Sequence, residues 1–135
     1  MKESRRKPTD AELAILTVLW SRGPSTVRQI AEDMGREGGY TTILKLLQIM
    51  TEKGLVVRDE AERTHVYDAA YTREQTQRQL VSDLLERAFD GSAAKLVLQA
   101  LAASKASPVE LAEIKKLLRG GVVPPPGSSK PGGTR

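Results

Sequence analysis

Cysteine is absent from this sequence and histidine occurs once, at His65. Without cysteine there are no disulfides, no thiolate metal sites and no thiol nucleophile. A histidine metal cluster or a Ser-His pair would have to rest on His65 alone. No metal, cofactor or catalytic set is therefore expected. No stretch approaches the roughly 18 uninterrupted apolar residues that a membrane helix needs. The basic opening MKESRRKPTD has no apolar run behind it, as a secretory signal would, so a cytoplasmic placement is expected. Gly35, Gly38 and Gly39 match neither nucleotide-binding fingerprint. The paired carboxylates Glu32-Asp33 and Asp59-Glu60 fall where helix ends and turns are expected and read as solvated surface.

What is present is the balance of an ordinary globular chain: 135 residues, 39% hydrophobic and 28% charged. That length suits one domain or two very small ones. The net charge of +4 hints at a polyanionic partner. Its distribution tempers the hint. Residues 1–71 hold 11 Lys/Arg against 11 Asp/Glu, and residues 72–135 hold 10 against 6. A nucleic-acid surface in the first half must come from local arrangement of charge rather than from bulk excess.

Thr9-Asp-Ala-Glu12 is a capping box, and behind it Leu13, Leu16, Leu19 and Trp20 recur at helical spacing until Gly23-Pro24. Thr26-Val-Arg-Gln29 is a second box, opening a short helix with Val27, Ile30 and Met34 inward and Gly35 at its end. Residues 36–39 read as a loop, and a third helix runs from Thr41 to Lys53 before Gly54. Two short stretches rich in β-branched residues follow, LVVRDE and THVYDA, separated by a turn at 61–63; they read as a hairpin. An isolated hairpin is marginal in water, so this one should pack on the helices. Three helices followed by a hairpin is the order expected of a winged helix-turn-helix.

Thr72-Arg-Glu-Gln75 opens a longer helix that Asp90-Gly-Ser breaks; Ser92 caps the next, and Ser107-Pro-Val-Glu110 starts the last. Their apolar stripes include Leu80, Leu84, Phe89, Leu96, Leu101, Leu111, Ile114 and Leu118. Three such helices have too little internal volume to bury those stripes. A symmetric second copy of the chain is the economical cover; folding back onto the first domain is the alternative. The expected fold is thus mainly α with a small β-hairpin. A winged helix-turn-helix domain covers 1–71, with a basic tail at 1–8; a helical dimerisation region covers 72–119, and a disordered Gly/Pro-rich tail covers 120–135.

On a helical wheel Ile43, Leu44, Leu47 and Met50 share one side of the third helix, while Thr41, Thr42, Lys45, Gln48 and Lys53 lie mostly opposite. The second helix of a helix-turn-helix enters the major groove with its N-terminal residues nearest the bases. Thr41 and Thr42 suit that end, through hydroxyls for base edges and methyls for thymine. Lys45 can reach a base edge or a phosphate, and Gln48 can read adenine. Ile49 fits either a thymine methyl or a domain contact. Arg28 can clamp the backbone, and Arg63 near the hairpin tip suits a phosphate, a narrow minor groove or a plain turn. The run Arg5-Arg6-Lys7 can add a flexible contact or stay solvated. Trp20, His65 and Tyr67 are expected to be packing residues.

The segments TDAELAILTVLW, STVRQIAEDM, YTTILKLLQIMTEKGLVVRD and RTHVYDAAYTREQ resemble the BlaI/MecI (penicillinase repressor) family of transcriptional regulators, in order and spacing, from about Thr9 to Leu118. FDGSAAKLVLQAL and SPVELAEIKKLL resemble its C-terminal dimerisation region. The resemblance implies a homodimeric repressor on a palindromic double-stranded DNA operator, with the groove-reading helix starting at Thr41-Thr42 and including Lys45. It also implies, as a partner, a membrane-bound sensor protease that cleaves the dimerisation region. The family's cleaved Asn-Phe pair is replaced here by Gln99-Ala100. The copper-responsive branch uses cysteine ligands, which this chain lacks. The alternative reading is a winged-helix protein-interaction module that does not read DNA sequence.

Overall fold

The structure is a computed structural model and describes residues 7–35, 39–61 and 63–120. Most of the Arg5-Arg6-Lys7 run, most of the 36–39 loop, and the tail beyond Gly120 lie outside the described residues. In chain order the elements are α1 (Asp10–Arg22), β1 (Ser25–Thr26), α2 (Val27–Met34), α3 (Tyr40–Lys53), β2 (Val56–Asp59), β3 (Val66–Ala69), α4 (Arg73–Ala88), α5 (Ala93–Ala103) and α6 (Pro108–Gly120).

The helix starts follow from local chemistry. Thr9 Oγ1 accepts from the Glu12 amide at 3.2 Å, and Glu12 Oε1 accepts from the Thr9 amide at 3.0 Å. The Thr26/Gln29 pair repeats this reciprocal cap on α2, Thr72/Gln75 on α4 and Ser107/Glu110 on α6. Each satisfies two amides that a helix start leaves without intrahelical partners. Helix α3 ends on Gly54, whose φ of 82° is the left-handed conformation that glycine adopts without steric cost. The Gly54 amide reaches Thr51 O and the Leu55 amide reaches Met50 O, while the Leu55 and Met50 side chains are both buried. That pairing of αL cap and apolar contact turns the chain sharply from α3 into β2.

The strands form an antiparallel sheet in the order β1-β3-β2. Val56 faces Ala69 and Arg58 faces Tyr67 across β2 and β3; on the other side Ser25 faces Tyr67. The sequence predicts only the two-stranded hairpin. A two-residue strand carries no periodicity, so β1 had no signal of its own. Through β1, however, the loop end of the hairpin is joined to the start of α2.

The chain forms two compact units, Met1–Gln79 and Leu80–Arg135. In the first, one core gathers Ile15, Leu16 and Leu19 of α1, Val27 and Ile30 of α2, and Ile43, Leu47 and Met50 of α3. Leu55, Val56 and Tyr67 complete it from the sheet. Fully burying each of these side chains contributes about 1.5–3 kcal/mol. Leu13, which the spacing placed inward on α1, only packs at the edge of this core; Ile15 and Glu12 take the buried positions. In the second unit, α5 and α6 have no buried residue, and neither has α4, which begins in the first unit and ends in the second.

The first turn of α4 belongs with the first unit for a specific reason. Trp20 Nε1 donates to Tyr71 O at 3.0 Å, and the Arg73 guanidinium lies 5.6 Å from the indole centroid. Arg73 also donates to Ser21 Oγ at 3.4 Å. Trp20, expected in the core, therefore sits half-buried at its rim. Indole pairs an apolar body with one N–H that needs a partner, and the rim supplies both.

Candidate nucleic-acid interface

Helix α3 is anchored by one stripe and displays the opposite one. Ile43, Leu47 and Met50 are fully buried, and at one hundred degrees per residue Thr41, Lys45, Gln48 and Glu52 form a ridge on the far side. All four ridge residues are exposed, as are Tyr40, Thr42 and Ile49. The helix starts one residue earlier than the sequence pattern indicates, at Tyr40, with Gly39 at its N-cap and no side-chain cap bond. Its first-turn amides are thus not occupied by a capping side chain. A helix N-terminus of that kind favours negative charge.

Lys53 departs from the sequence expectation. Its Nζ lies 2.7 Å from Glu12 Oε1, and Glu12 is 2% exposed. The wheel puts Lys53 on the flank of α3, and that flank faces α1. Its ammonium neutralises a carboxylate already fixed by the Thr9 cap, tying the start of α1 to the end of α3. Glu12 is thereby both a cap and a buried counter-ion, a double role the spacing alone did not reveal.

Two groups stand out among the other cations of this unit. Arg22 pairs with Asp33 at 2.8 Å, and Arg58 pairs with Glu60. Arg58 is raised above its ordinary pKa by hydrogen bonding to Tyr67 and then to Glu60. Arg28, Lys45 and Arg63 make no side-chain ion pair or hydrogen bond among the described residues, and all three are exposed. The first half is neutral overall, but its cations and anions are not matched evenly over the surface. Arg22 and Arg58 lie beside acids, whereas Arg28, Lys45 and Arg63 have no acid paired with them among the described residues.

Between the start of α2, the first turn of α3 and the hairpin loop lies an open cleft of about 350 Å³. Arg28, Tyr40, Arg63, Thr64, His65 and Tyr67 are among the residues that line it. His65 is not the packing residue that the sequence suggests. Strand β3 starts only at Val66, so His65 belongs to the loop and is exposed, while Tyr67 is 1% exposed. Loop residues escape the strand's alternation, and the sequence did not show where the strand began.

The expected dimerisation residues carry apolar area on the outside. Leu84, Leu101, Leu111 and Leu118 are exposed, Leu118 at 77%, and Leu80, Phe89, Leu96 and Ile114 are half-buried. Gln99 and Ala100 lie inside α5 and are exposed. No helix among the described residues is long and apolar enough to cross a membrane.

Residues 8–120 match the model of the penicillinase repressor family. Over 92 residues the chain is 35% identical to the transcriptional regulator BlaI of Mycobacterium tuberculosis, in strains CDC 1551 / Oshkosh and ATCC 25618 / H37Rv alike. That match spans 66% of this chain and 67% of the relative. Among solved structures, hsRosR-S4, determined as a complex, superposes over 89% of this chain and 95% of its own with 20% identity. Its TM-score is 0.50, a likeness of fold.

Proposed function

Because the chain belongs to the penicillinase repressor family, we propose that it is a DNA-binding transcriptional repressor, acting in the cytoplasm as a homodimer on a palindromic operator. The observation that carries this reading is the exposed ridge of α3, held outward by a fully buried stripe on the same helix. Thr41, Thr42, Lys45 and Gln48 enter the major groove, with Lys45 and Gln48 one and two turns beyond the first threonine. Arg28 and Arg63, from two other elements, hold the backbone and set the register. Lys53 is omitted from this set, since its charge is engaged with Glu12.

Repression is steric and needs no chemistry by the protein. Two copies of α3, about one helical turn apart on the duplex, block access to a promoter. The helices from Leu80 onward supply the two-fold contact, because the apolar stripes on α4, α5 and α6, which hold no fully buried residue within the protomer, lose water-exposed area on pairing. A sensor protease, known from the family resemblance, would meet Gln99-Ala100 inside α5. Cleavage there would first require that turn to unwind, and the proposed mechanism contains no such step.

The test is selection of bound fragments from sheared genomic DNA by the purified protein, at two salt concentrations. Recovery of a two-fold-symmetric sequence upstream of a gene cluster is expected. Fragments without a shared sequence, lost uniformly as salt rises, would instead mean that the charges bind DNA and the helix does not read it. The protein-interaction reading, with Ile49 as a docking residue, would then replace this one.

A further inference from the structure

Ile49 is a side chain of α3 that neither the core nor the polar ridge accounts for. It is exposed, and it takes no place in the core or among the side chains packed against it. The domain contact that the sequence left open is therefore not made within the first unit. At one hundred degrees per residue, Ile49 lies about 130° round the helix from the middle of the buried stripe, on the shoulder of the ridge. There Thr42, Lys45 and Ile49 stand at i, i+3 and i+7, in one row along α3. A homeodomain's reading helix meets base edges with residues spaced in that way.

The chemistry of this row is uneven. Thr42 and Lys45 offer a hydroxyl and an ammonium, whereas Ile49 offers only carbon. Base edges in the major groove present donors, acceptors and one apolar group, the C5 methyl of thymine. An isoleucine set against a donor or acceptor strips its water and returns no hydrogen bond. Set against a methyl, it buries its own exposed area at no such cost. We infer that Ile49 packs on a thymine C5 methyl in each half-site, and so selects an A·T pair there with the thymine on a fixed strand. The inference rests on the repressor reading for its ligand, and adds to it a residue that reads by apolar contact.

The surroundings of Ile49 suit that task. Its β-branched side chain is confined to essentially one rotamer in a helix. The helix itself is fixed by Ile43, Leu47 and Met50, all wholly buried. The apolar tip thus has a defined place. Lys53, one turn on, is held 2.7 Å from Glu12 Oε1, which draws its stem toward α1 rather than across Ile49. A protein partner would need a contiguous apolar patch. The neighbours one turn away are Lys45, Glu52 and Lys53, with Leu46 already packed against the core.

The experiment replaces thymines of the selected duplex by uracil, one symmetric pair at a time. This removes the C5 methyl and leaves the hydrogen-bonding edge intact. Wild type and Ile49→Ala are compared on the series at fixed ionic strength. One replacement is expected to weaken wild type by about 10–20-fold over the two half-sites, and to leave Ile49→Ala unchanged. On the unmodified duplex, Ile49→Ala should bind at least as weakly as wild type binds that uracil duplex. Uracil effects equal in the two proteins at every position would overturn the inference. So would an Ile49→Ala chain that holds the unmodified duplex as wild type does, or selected half-sites without a recurrent A·T pair. Failure of the repressor reading has an earlier and separate signature, selected duplex held no better than random duplex by wild type, and it removes the thymine contact together with the operator. Ile49 is exposed and alanine is the better helix former, so the variant should keep the wild-type melting temperature.

Discussion

The two units of this chain solve the problem of apolar surface in opposite ways. Up to Gln79, three helices and a sheet enclose a core in which Ile15, Ile30, Ile43, Leu47 and Met50 are wholly inaccessible. From Leu80 onward, helices α5 and α6 are as regular and as well capped, but bury no residue at all. Helix formation and burial are separable: capping and spacing create the second set of helices without enclosing them. The first unit closes a core of its own, whereas the second leaves its apolar stripes exposed.

The largest effect should therefore come from the core of the first unit. Leu47→Ala is expected to lower unfolding free energy by about 2–5 kcal/mol, through lost burial and the cavity left behind. Chemical denaturation will show whether the loss is confined to the first unit, with the association of the second unchanged. Leu84→Asp attacks the other side of the comparison. It should weaken self-association by about 2–4 kcal/mol, giving monomers by light scattering while the first unit keeps its own unfolding transition. A Leu84→Asp chain that stays dimeric would place the two-fold contact elsewhere.

Lys53→Met refines the picture within the first unit. It leaves the Glu12 carboxylate buried without its partner and should cost about 1–3 kcal/mol of stability, less than for a fully enclosed pair because the lysine is partly solvated. The salt dependence of duplex binding should not change, which distinguishes a structural lysine from a DNA-contacting one. Lys45→Ala should do the reverse: stability unaltered, and selected-duplex affinity lowered by about 1–3 kcal/mol if Lys45 reads a base. A uniform loss on all duplexes, with the salt slope reduced by about one, would give Lys45 a phosphate instead. Unchanged affinity would remove it from the interface.

Much of the fold was legible because its determinants are local. Each reciprocal cap involves residues three apart, and the cap at Gly54 is a statement about one backbone angle; such features are written next to each other in the chain. The display of Thr41, Lys45 and Gln48 was legible too, since it follows from the burial of Ile43, Leu47 and Met50 on one rigid helix. What escaped depends on distant neighbours. The pairing of Lys53 with Glu12 spans 41 positions. A helical wheel distinguishes inside from outside but not which neighbour a flank residue meets. Likewise β1 exists only because β3 lies alongside it, and the exposure of His65 depends on where pairing with Asp59 and Thr26 begins.

The setting of Trp20 has a practical consequence. It is the chain's one tryptophan, so indole fluorescence arises from a single position. That indole donates to the Tyr71 carbonyl and lies beneath the Arg73 guanidinium, at the point where the first unit hands over to α4. Emission wavelength and quenching there respond to the polarity and charge around the ring. A change at the start of α4 is therefore written into the colour of one native residue, and can be followed in real time on the unlabelled protein.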